Sequence, residues 1–349
     1  MTPASPALPP AIAALPRFRL FEGPSPFHRL ERLEAALGGR VELWMKRDDL
    51  LPLAFGGNKL RNLEFLVGAA LAEGADTLVT SGRRWSNHCR LTAAAGARAG
   101  LAVHLVLSGP PAEAMDPARH SPARVLAELL GAAVKQLPTS DREARDEAVA
   151  VLMAALRQAG RRPYLIPVGG TGLPGAVGQV LAAWELLDHD QPVPDLIVLP
   201  SATGGTQAGL VAGLRARGQA TRVQGVLVAR PEAELRPAIE ATLEALTPLT
   251  GSRPVREAID LDRTHLGDGY GRRTSAADAA TTLLARTEGI LVDPIYTAKA
   301  LAALIEGVRS GRWDGRRVAF WHAGGAPGLF EPLDGPDPQS ATTVPDIVG

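Results

Sequence analysis

The chain has 349 residues, 46% hydrophobic and 21% charged, which is long enough for a large core or two domains. Lysine plus arginine equals aspartate plus glutamate at 37 each, so there is no electrostatic argument for nucleic acid or an anionic membrane as a partner. No apolar run reaches the length needed to span a bilayer. The single cysteine, Cys89, excludes an internal disulfide and fits a reducing cytoplasm, where we expect the protein.

The first sixteen residues are rich in proline and alanine and lack the basic start of a secretory signal, so we expect a flexible or loosely packed arm. The tail after Phe330 is rich in proline and acidic residues and is expected to cap or trail the fold. Between them, predicted strands and helices alternate, which indicates an α/β fold with a parallel sheet covered on both faces. The predicted strands are residues 77–81, 102–107, 164–168, 196–199, 223–228 and 318–321.

One lysine follows a double-glycine turn at the start of a predicted helix. Gly56 and Gly57 precede Asn58 and Lys59, and the helix that follows has one apolar stripe, formed by Leu63, Leu66, Val67, Ala70 and Leu71. Lys59 is therefore expected in the first turn, where the helix dipole disfavours a cation. That setting suits a lysine held for chemistry, and the segment alone fits an exposed surface lysine equally well.

A run of hydrogen-bonding side chains follows the predicted strand 77–81. Ser86, Asn87 and His88 open a helix rich in small residues, at the carboxyl edge where open α/β sheets bind ligands. Serine at such a junction is more commonly an N-cap. Three polar side chains in succession exceed what a cap requires, so a ligand contact is the alternative.

A glycine-rich turn, residues 201–207, follows the predicted strand 196–199. Its glycines and the helix that starts near Ala208 would let backbone N–H groups converge on a phosphate. Turns of this kind are often only tight connections. The turn has neither the P-loop lysine nor the three-glycine dinucleotide spacing, which disfavours a nicotinamide-dependent oxidoreductase.

Five motifs occur in one order along the chain. They are Gly-Gly-Asn-Lys at 56–59, Ser-Asn-His at 86–88, Thr-Gly-Gly-Thr-Gln-Ala-Gly-Leu at 203–210, Asp-Pro-Ile-Tyr-Thr-Ala-Lys at 293–299 and His-Ala-Gly-Gly-Ala-Pro at 322–327. Together they resemble the pyridoxal-phosphate (PLP) enzymes of the 1-aminocyclopropane-1-carboxylate (ACC) deaminase and D-cysteine desulfhydrase family, which has the tryptophan-synthase-β-like fold type II. The likeness runs from about Phe18 to Phe330, nearly the whole chain.

The resemblance implies a fold and a domain organisation. It implies two open, twisted, mostly parallel sheets covered by helices, with PLP in the cleft between a large and a smaller domain. The large PLP-binding domain would comprise residues 17–59 and 164–349, and the smaller α/β domain, residues 60–163, would be inserted in it. Residues 1–16 would form the flexible arm, and the family pattern implies a homodimer.

The resemblance also implies roles for individual residues, none of them metal ligands. Lys59 matches the Schiff-base lysine, and Asn58 lies beside it. Asn87 matches the residue near the cofactor's phenolic oxygen, while Tyr296 and Tyr270 match two catalytic tyrosines. The residues matching the phosphate cradle are Ala202, Thr203, Gly204, Gly205 and Thr206, and those facing the substrate are Trp85, Ser86, Asn87, His88 and Ala323.

Two positions depart from the deaminase pattern. Thr297 and Ala323 stand where that subfamily has glutamate and leucine. Thr297 resembles the desulfhydrase branch, and a neutral hydroxyl near the pyridine nitrogen would leave the ring a weaker electron sink. Ala323 fits neither branch, since the desulfhydrases usually carry threonine there.

The run Arg83-Arg84-Trp85 also departs from the family, as does Asn62, where a lysine near the phosphate is common. Guanidinium groups bind sulfonate or carboxylate in a bidentate manner, so the two arginines could read an anionic substrate. The alternative is that both are solvated surface residues.

The leading hypothesis is a PLP-dependent carbon–sulfur lyase of the D-cysteine desulfhydrase type, acting on a small amino acid to give pyruvate, ammonia and sulfide. Alternatives are an L-cysteate sulfo-lyase, an ACC deaminase or a related specialised deaminase. A protein that binds PLP or an amino acid without turnover is the alternative from another class. The α-proton base would be Lys59 or a Ser86–Tyr296 pair, depending on which face of the substrate is presented.

Overall fold

The computed structural model describes residues 8–109, 120–253 and 258–333. In these ranges the chain forms two mainly parallel sheets flanked by helices. The larger sheet has the strand order β1-β2-β10-β7-β8-β9, and only β1 is antiparallel to its neighbour. Its strands are β1 Phe27–Arg29, β2 Glu42–Arg47, β7 Leu196–Ser201, β8 Arg222–Leu227, β9 Ile259–Asp262 and β10 Arg317–His322.

The smaller sheet is wholly parallel and has the order β5-β4-β3-β6. Its strands are β3 Thr77–Arg83, β4 Ala102–Ser108, β5 Ala133–Leu137 and β6 Pro163–Leu165. The helices are α1 Pro10–Ala13, α2 Glu31–Ala36, α3 Lys59–Ala72, α4 Asn87–Ala99, α5 Pro122–Leu129, α6 Arg142–Gln158, α7 Val177–Leu187, α8 Gly205–Ala216, α9 Glu232–Thr250, α10 Ser275–Glu288 and α11 Thr297–Arg309.

Alternation along the strands builds a core on each face of each sheet. In β7, Ile197 and Leu199 pack with α7, α8 and α9, whereas Val198 between them packs with α10 and α11. The smaller sheet divides in the same way, since Leu78 faces α3 and α4 while Val79 faces α6. Strands buried on both faces carry long apolar runs, which is why these strands could be predicted from the sequence.

All six predicted strands are present, and β6 ends earlier than predicted. The strands that the sequence did not indicate are β1, β2, β5 and β9, which are short or lie at or next to the sheet edges. The predicted domain boundary places residue 164 in the large domain, yet Tyr164 pairs with Leu78 in the smaller sheet. The division into two domains otherwise stays a prediction.

The expectation of a loose N-terminal arm is wrong for residues 8–16. Residues Pro10–Ala13 form helix α1, and Ile12 is 2% exposed within the core beside α7 and α9. The partly buried Leu15 packs against the same core, so this segment gains apolar burial at two positions. Residues 1–7 and the tail from 334 lie outside the described residues. In the described part of the chain, no helix is both long and apolar enough to cross a membrane.

Candidate active site

A cavity of about 340 Å³ opens between the two sheets, at the carboxyl ends of β3, β7, β8 and β10. This is the edge at which open α/β sheets bind ligands. The cavity brings together all the site residues predicted from sequence except Trp85, Gly205 and Thr297. The predicted residues that line it are Asn58, Lys59, Ser86, Asn87, His88, Ala202, Thr203, Gly204, Thr206, Tyr270, Tyr296 and Ala323.

Lys59 is the first residue of α3 and lies half-buried in the cavity wall. Burial lowers the pKa of its ε-amine to about 8. In the described ranges no carboxylate forms an ion pair with this amine to oppose that effect. A fraction of Lys59 is therefore neutral and nucleophilic near physiological pH, as a lysine that reacts with an aldehyde requires.

Two backbone segments cross in contact just before Lys59. A Cβ atom on Gly324 would lie 2.6 Å from the Cα of Gly57, so a side chain cannot be accommodated at this crossing. The backbone N–H of Asn58 donates to the Ala323 carbonyl at 3.0 Å, and its side-chain amide donates to Thr206 Oγ1 at 2.9 Å. The start of α3 is thus fixed to both the end of β10 and the start of α8.

The start of α8 forms a cradle of backbone N–H groups. Gly204 is the N-cap with φ of 81°, and no side chain caps the helix. The first N–H groups of a helix have no intrahelical acceptor, and here the turn that carries them lines the cavity. Gly169 closes the other side so tightly that a Cβ there would lie 2.8 Å from Thr203 Oγ1. An anion of phosphate size fits this place.

Ser86 and its neighbours start α4 at the cavity. Ser86 is the N-cap of α4, and its Oγ accepts from the Cys89 N–H at 3.2 Å. The N-cap role, which is the commoner one for serine at such a junction, is therefore confirmed. Ser86 also lines the cavity with Asn87 and His88. Burial, with a smaller contribution from Lys59, lowers the pKa of His88 to about 3, and its Nε2 lies 2.9 Å from Thr80 Oγ1. A neutral histidine can contact a ligand here but does not titrate near neutrality.

Two tyrosines meet on the opposite wall. The hydroxyls of Tyr270 and Tyr296 are hydrogen-bonded to each other, and their ring centroids lie 5.8 Å apart. Burial raises the pKa of both phenols, that of Tyr296 well above its usual value, so both are protonated at neutral pH. Trp85 packs edge-on against Tyr270, with centroids 5.6 Å apart, and supports that ring from behind rather than lining the cavity.

Thr297 lies behind Tyr296, fully buried at the start of α11. Its hydroxyl donates to Asp293 Oδ2 at 2.5 Å and accepts from the Asp293 N–H at 2.9 Å. Lys299, two residues further along α11, donates to the carbonyls of Leu266 and Gly269 at 2.7 and 3.0 Å. The polar groups of this motif therefore hold the backbone that presents the two tyrosines.

Arg84 is neither a substrate contact nor a surface residue, so both interpretations offered for it are wrong. It is 2% exposed, and its Nε donates to Glu331 Oε1 at 2.8 Å. Glu331 also accepts from Ser121 Oγ at 2.7 Å. We call Arg84, Ser121 and Glu331 the clamp. Glu331 is far from Arg84 along the chain, and the two charges attract each other strongly only where the fold removes both from water. The pairing could therefore not be predicted from the sequence.

Arg83 points the other way and does line the cavity, where it is accompanied by three arginines that the sequence analysis missed. These are Arg142, Arg145 and Arg230. Arg230 could have been found, because it closely follows β8 at the same carboxyl edge. Arg142 and Arg145 start a helix of mixed polarity and gave no signal. Among the described residues, no group of three or more metal-ligating side chains is present.

These residues fit pyridoxal phosphate. The cradle at Gly204 would hold the phosphate, and Lys59 would hold the aldehyde carbon. Asn62, where a lysine is common in the family, is fully buried and donates to the Gly170 carbonyl at 2.9 Å, so it braces the cradle rather than adding charge to it.

Comparison with known proteins agrees with this geometry. A family described as "Pyridoxal-phosphate dependent enzyme" matches residues 18–324. D-cysteine desulfhydrases of Salmonella typhi and Salmonella newport (strain SL254) are each 39% identical over 328 residues, covering 91% of this chain and 97% of theirs. A crystal structure of an ACC deaminase homologue matches with a TM-score of 0.83 at 31% identity, covering 92% of this chain and 95% of that chain. The chain therefore belongs to the pyridoxal-phosphate dependent enzymes.

Proposed function

We propose that the protein is a PLP-dependent lyase of the D-cysteine desulfhydrase type, which eliminates the β-substituent of a small amino acid. With D-cysteine and water the products would be pyruvate, ammonia and sulfide. The observation that carries the proposal is that a lysine of lowered pKa, an uncapped helix start and a protonated tyrosine pair share one cavity. A protein that only bound the cofactor would need neither a lysine with a lowered pKa nor the two protonated tyrosines.

The bound cofactor supplies an electron sink that makes the substrate α-proton acidic. Lys59, with a pKa of about 8, is the group in the cavity best able to accept that proton. Tyr270 and Tyr296 keep their protons at neutral pH because burial raises both pKa values. We therefore assign Lys59 as the base and the tyrosine pair as the acid that protonates the departing β-substituent.

The start of α4 would orient the substrate. The backbone N–H groups of Asn87 and His88 lie at a helix N-terminus that faces the cavity, which suits the substrate α-carboxylate. The Asn87 amide, whose Oδ1 accepts from Arg90 at 3.2 Å, would be the group available to the cofactor's phenolic oxygen. We propose that Ser86 and Ala323, which both line the cavity, would contact the substrate.

The experiment is a product assay with the purified holoenzyme. D-cysteine, L-cysteine, β-chloro-D-alanine and cysteate would be tested, with pyruvate, ammonia and sulfide measured separately. Equal amounts of pyruvate and ammonia from at least one substrate with a β-leaving group support the proposal. Absence of pyruvate from all of them, with cofactor bound, would refute it.

We further propose a cytoplasmic homodimer. Support for association comes from Leu50 and Phe55, which are 54% and 63% exposed on the segment between β2 and α3. Sedimentation equilibrium should give about twice the 36.6 kDa chain mass. A mass equal to one chain at micromolar concentration would exclude the dimer.

A further inference from the structure

Four arginines line the cavity, and no aspartate or glutamate in the described residues lines it with them. They come from three places at the carboxyl edges of the sheets: Arg83 from the end of β3, Arg142 and Arg145 from the start of α6, and Arg230 from just after β8. With Lys59 the walls carry five basic groups. A field of one sign focused in a cleft selects for ligands of the opposite sign.

Arg83 and Arg145 are only weakly neutralised by the described residues. Arg145 is 8% exposed, its Nε has no hydrogen-bond partner among them, and the mostly exposed Asp146 lies 3.5 Å from its guanidinium. Arg83 donates to the Ser140 carbonyl at 3.2 Å, and no described group accepts from its buried Nε. Arg142, which is exposed, forms a closer ion pair with Glu234, at 3.0 Å.

The arginines are also close enough to affect one another. Burial lowers the pKa of Arg83, and the charge of Arg145 lowers it further, while the tyrosine pair acts in the opposite direction. Burial likewise lowers the pKa of Arg230, with further contributions from Arg142 and Arg145. Holding several partly buried charges of one sign close together costs free energy unless an anion binds among them.

The cofactor phosphate and the substrate α-carboxylate do not account for this charge. The phosphate fits the cradle at Gly204, and the α-carboxylate fits the start of α4. Arg83 instead lies beside the tyrosine pair, with its guanidinium 5.9 Å from the Tyr270 ring centroid. If the tyrosine pair protonates the departing β-substituent, as proposed above, Arg83 lies on the side on which that substituent would leave.

We propose that the cavity selects an amino acid whose side chain ends in an anion, such as a carboxylate or sulfonate, and that Arg83, Arg145 and Arg230 bind it. The guanidinium fork matches both groups in a bidentate manner. This proposal rests on the lyase function above and narrows its substrate class. Cysteate, which has a sulfonate at the β-carbon, combines both requirements.

The test measures binding without turnover. Aspartate and alanine share the α-amino and α-carboxylate groups and have no good β-leaving group, so their affinities differ only through the side chain. Isothermal titration calorimetry with the holoenzyme should show one enantiomer of aspartate binding at least tenfold more tightly than the same enantiomer of alanine. Equal affinities, or a preference for alanine, would overturn the proposal.

Substitutions locate the effect. Arg83→Gln, Arg145→Gln and Arg230→Gln should each reduce the aspartate-to-alanine affinity ratio about 10- to 100-fold. Arg157→Gln, at the exposed far end of α6, is the matched control and should leave the ratio unchanged. Arg145→Lys should retain part of the preference because the charge remains. If all three Gln variants keep the wild-type ratio, the arginines do not bind the side chain.

Parallel assays separate this proposal from the function on which it rests. Pyruvate from D-cysteine without any preference for aspartate would refute the anion proposal alone. A preference for aspartate without pyruvate from any β-substituted substrate would refute the lyase and leave the anion site standing. If Arg145→Gln does not fold, Arg230→Gln decides the question, because Arg230 is half-buried at the end of a strand.

Discussion

Burial holds the pKa of Lys59 at about 8 in a cavity that is also lined by the cradle and the tyrosine pair. An exposed lysine with the usual value near 10.4 would be almost wholly protonated at neutral pH. The protein thus prepares the Lys59 amine, which lines the cavity, for reaction with an aldehyde.

Cofactor attachment at Lys59 can be tested directly. Borohydride reduction of the purified protein followed by peptide mass spectrometry should find a single pyridoxyl adduct, on Lys59. Lys59→Ala should carry no covalent adduct, whereas Lys135→Ala, on β5 in the smaller sheet, should resemble wild type. An adduct on another lysine of the wild-type protein would contradict the assignment.

The lowered pKa of Lys59 predicts how cofactor uptake depends on pH. Only the neutral amine attacks, so the rate at which apoprotein takes up PLP should rise about tenfold per pH unit below 8 and level off above it. Stopped-flow absorbance can follow the reaction, with N-acetyl-lysine amide as the control for the cofactor's own titration. A rate that keeps rising to pH 10 would show that the pKa of Lys59 is not lowered.

Thr297 and Ala323 predict poor opening of a cyclopropane ring. Thr297 is engaged by Asp293, and no described carboxylate lines the cavity to pair with a pyridine nitrogen. The ring should then be a weaker electron sink, which suffices for a good leaving group but not for an unactivated ring. We expect little or no 2-oxobutyrate from ACC. A kcat/KM on ACC that equals or exceeds that on every sulfur substrate would overturn this prediction.

At the scale of elements, the clamp joins the loop before α4 to the segment after β10. Glu331→Ala would remove the buried ion pair with Arg84 and the hydrogen bond from Ser121, so we expect a loss of about 3–5 kcal/mol in the free energy of unfolding. Glu331→Gln should lose less, since it can still accept hydrogen bonds. Glu128→Ala removes the exposed Arg124–Glu128 pair and should cost under about 1 kcal/mol. Urea unfolding measures all three; equal losses for Glu331→Ala and Glu128→Ala would contradict the role of the clamp.

The same clamp shows why sequence could predict some elements and not others. Strands such as β7 carry unbroken apolar runs, and the start of α4 has a polar residue in the right place, so both can be read locally. Arg84 and Glu331 look like any surface pair until the fold encloses them. The sequence around Arg145 likewise does not indicate a site residue, because the cavity that it lines exists only when α6 packs beside β3.

At the scale of the whole molecule, a buried charge network joins β2, α3 and α7. Glu185 binds Arg61, with Oε2 2.8 Å from Nη1, and also binds Lys46. Arg61 in turn binds Asp48 at 2.7 Å, and Trp321 on β10 donates to Asp48 at 2.9 Å. Through Arg61 the network ties α3, the helix that Lys59 starts, to the larger sheet.

This network predicts a loss of stability in acid. Burial alone would raise the pKa of Glu185, but Arg61 and Lys46 hold it at about 2, below its ordinary value of 4.5. A depressed carboxyl contributes stability that is complete above 4.5 and declines as pH falls toward 2. Thermal unfolding should therefore show a steeper decline over this window for wild type than for Glu185→Gln. Parallel curves would show that Glu185 does not contribute.

Glu185→Gln should also be less stable than wild type at pH 7, by about 3–5 kcal/mol, because two buried cations lose their shared counter-charge. Asp190→Asn, at an exposed site in the loop after α7, is the control and should change stability by less than about 0.5 kcal/mol.

The crossing of Gly57 and Gly324 has a consequence for the newly made chain. Helix α3 leaves the ribosome early, whereas β10, which lies between β2 and β7 in the sheet, is among the last elements to be synthesised. Until β10 inserts, the Asn58 N–H lacks the Ala323 carbonyl and the wall beside Lys59 is missing. The cavity that holds the cofactor is therefore completed only when one of the last elements to be synthesised takes its place in the middle of the larger sheet.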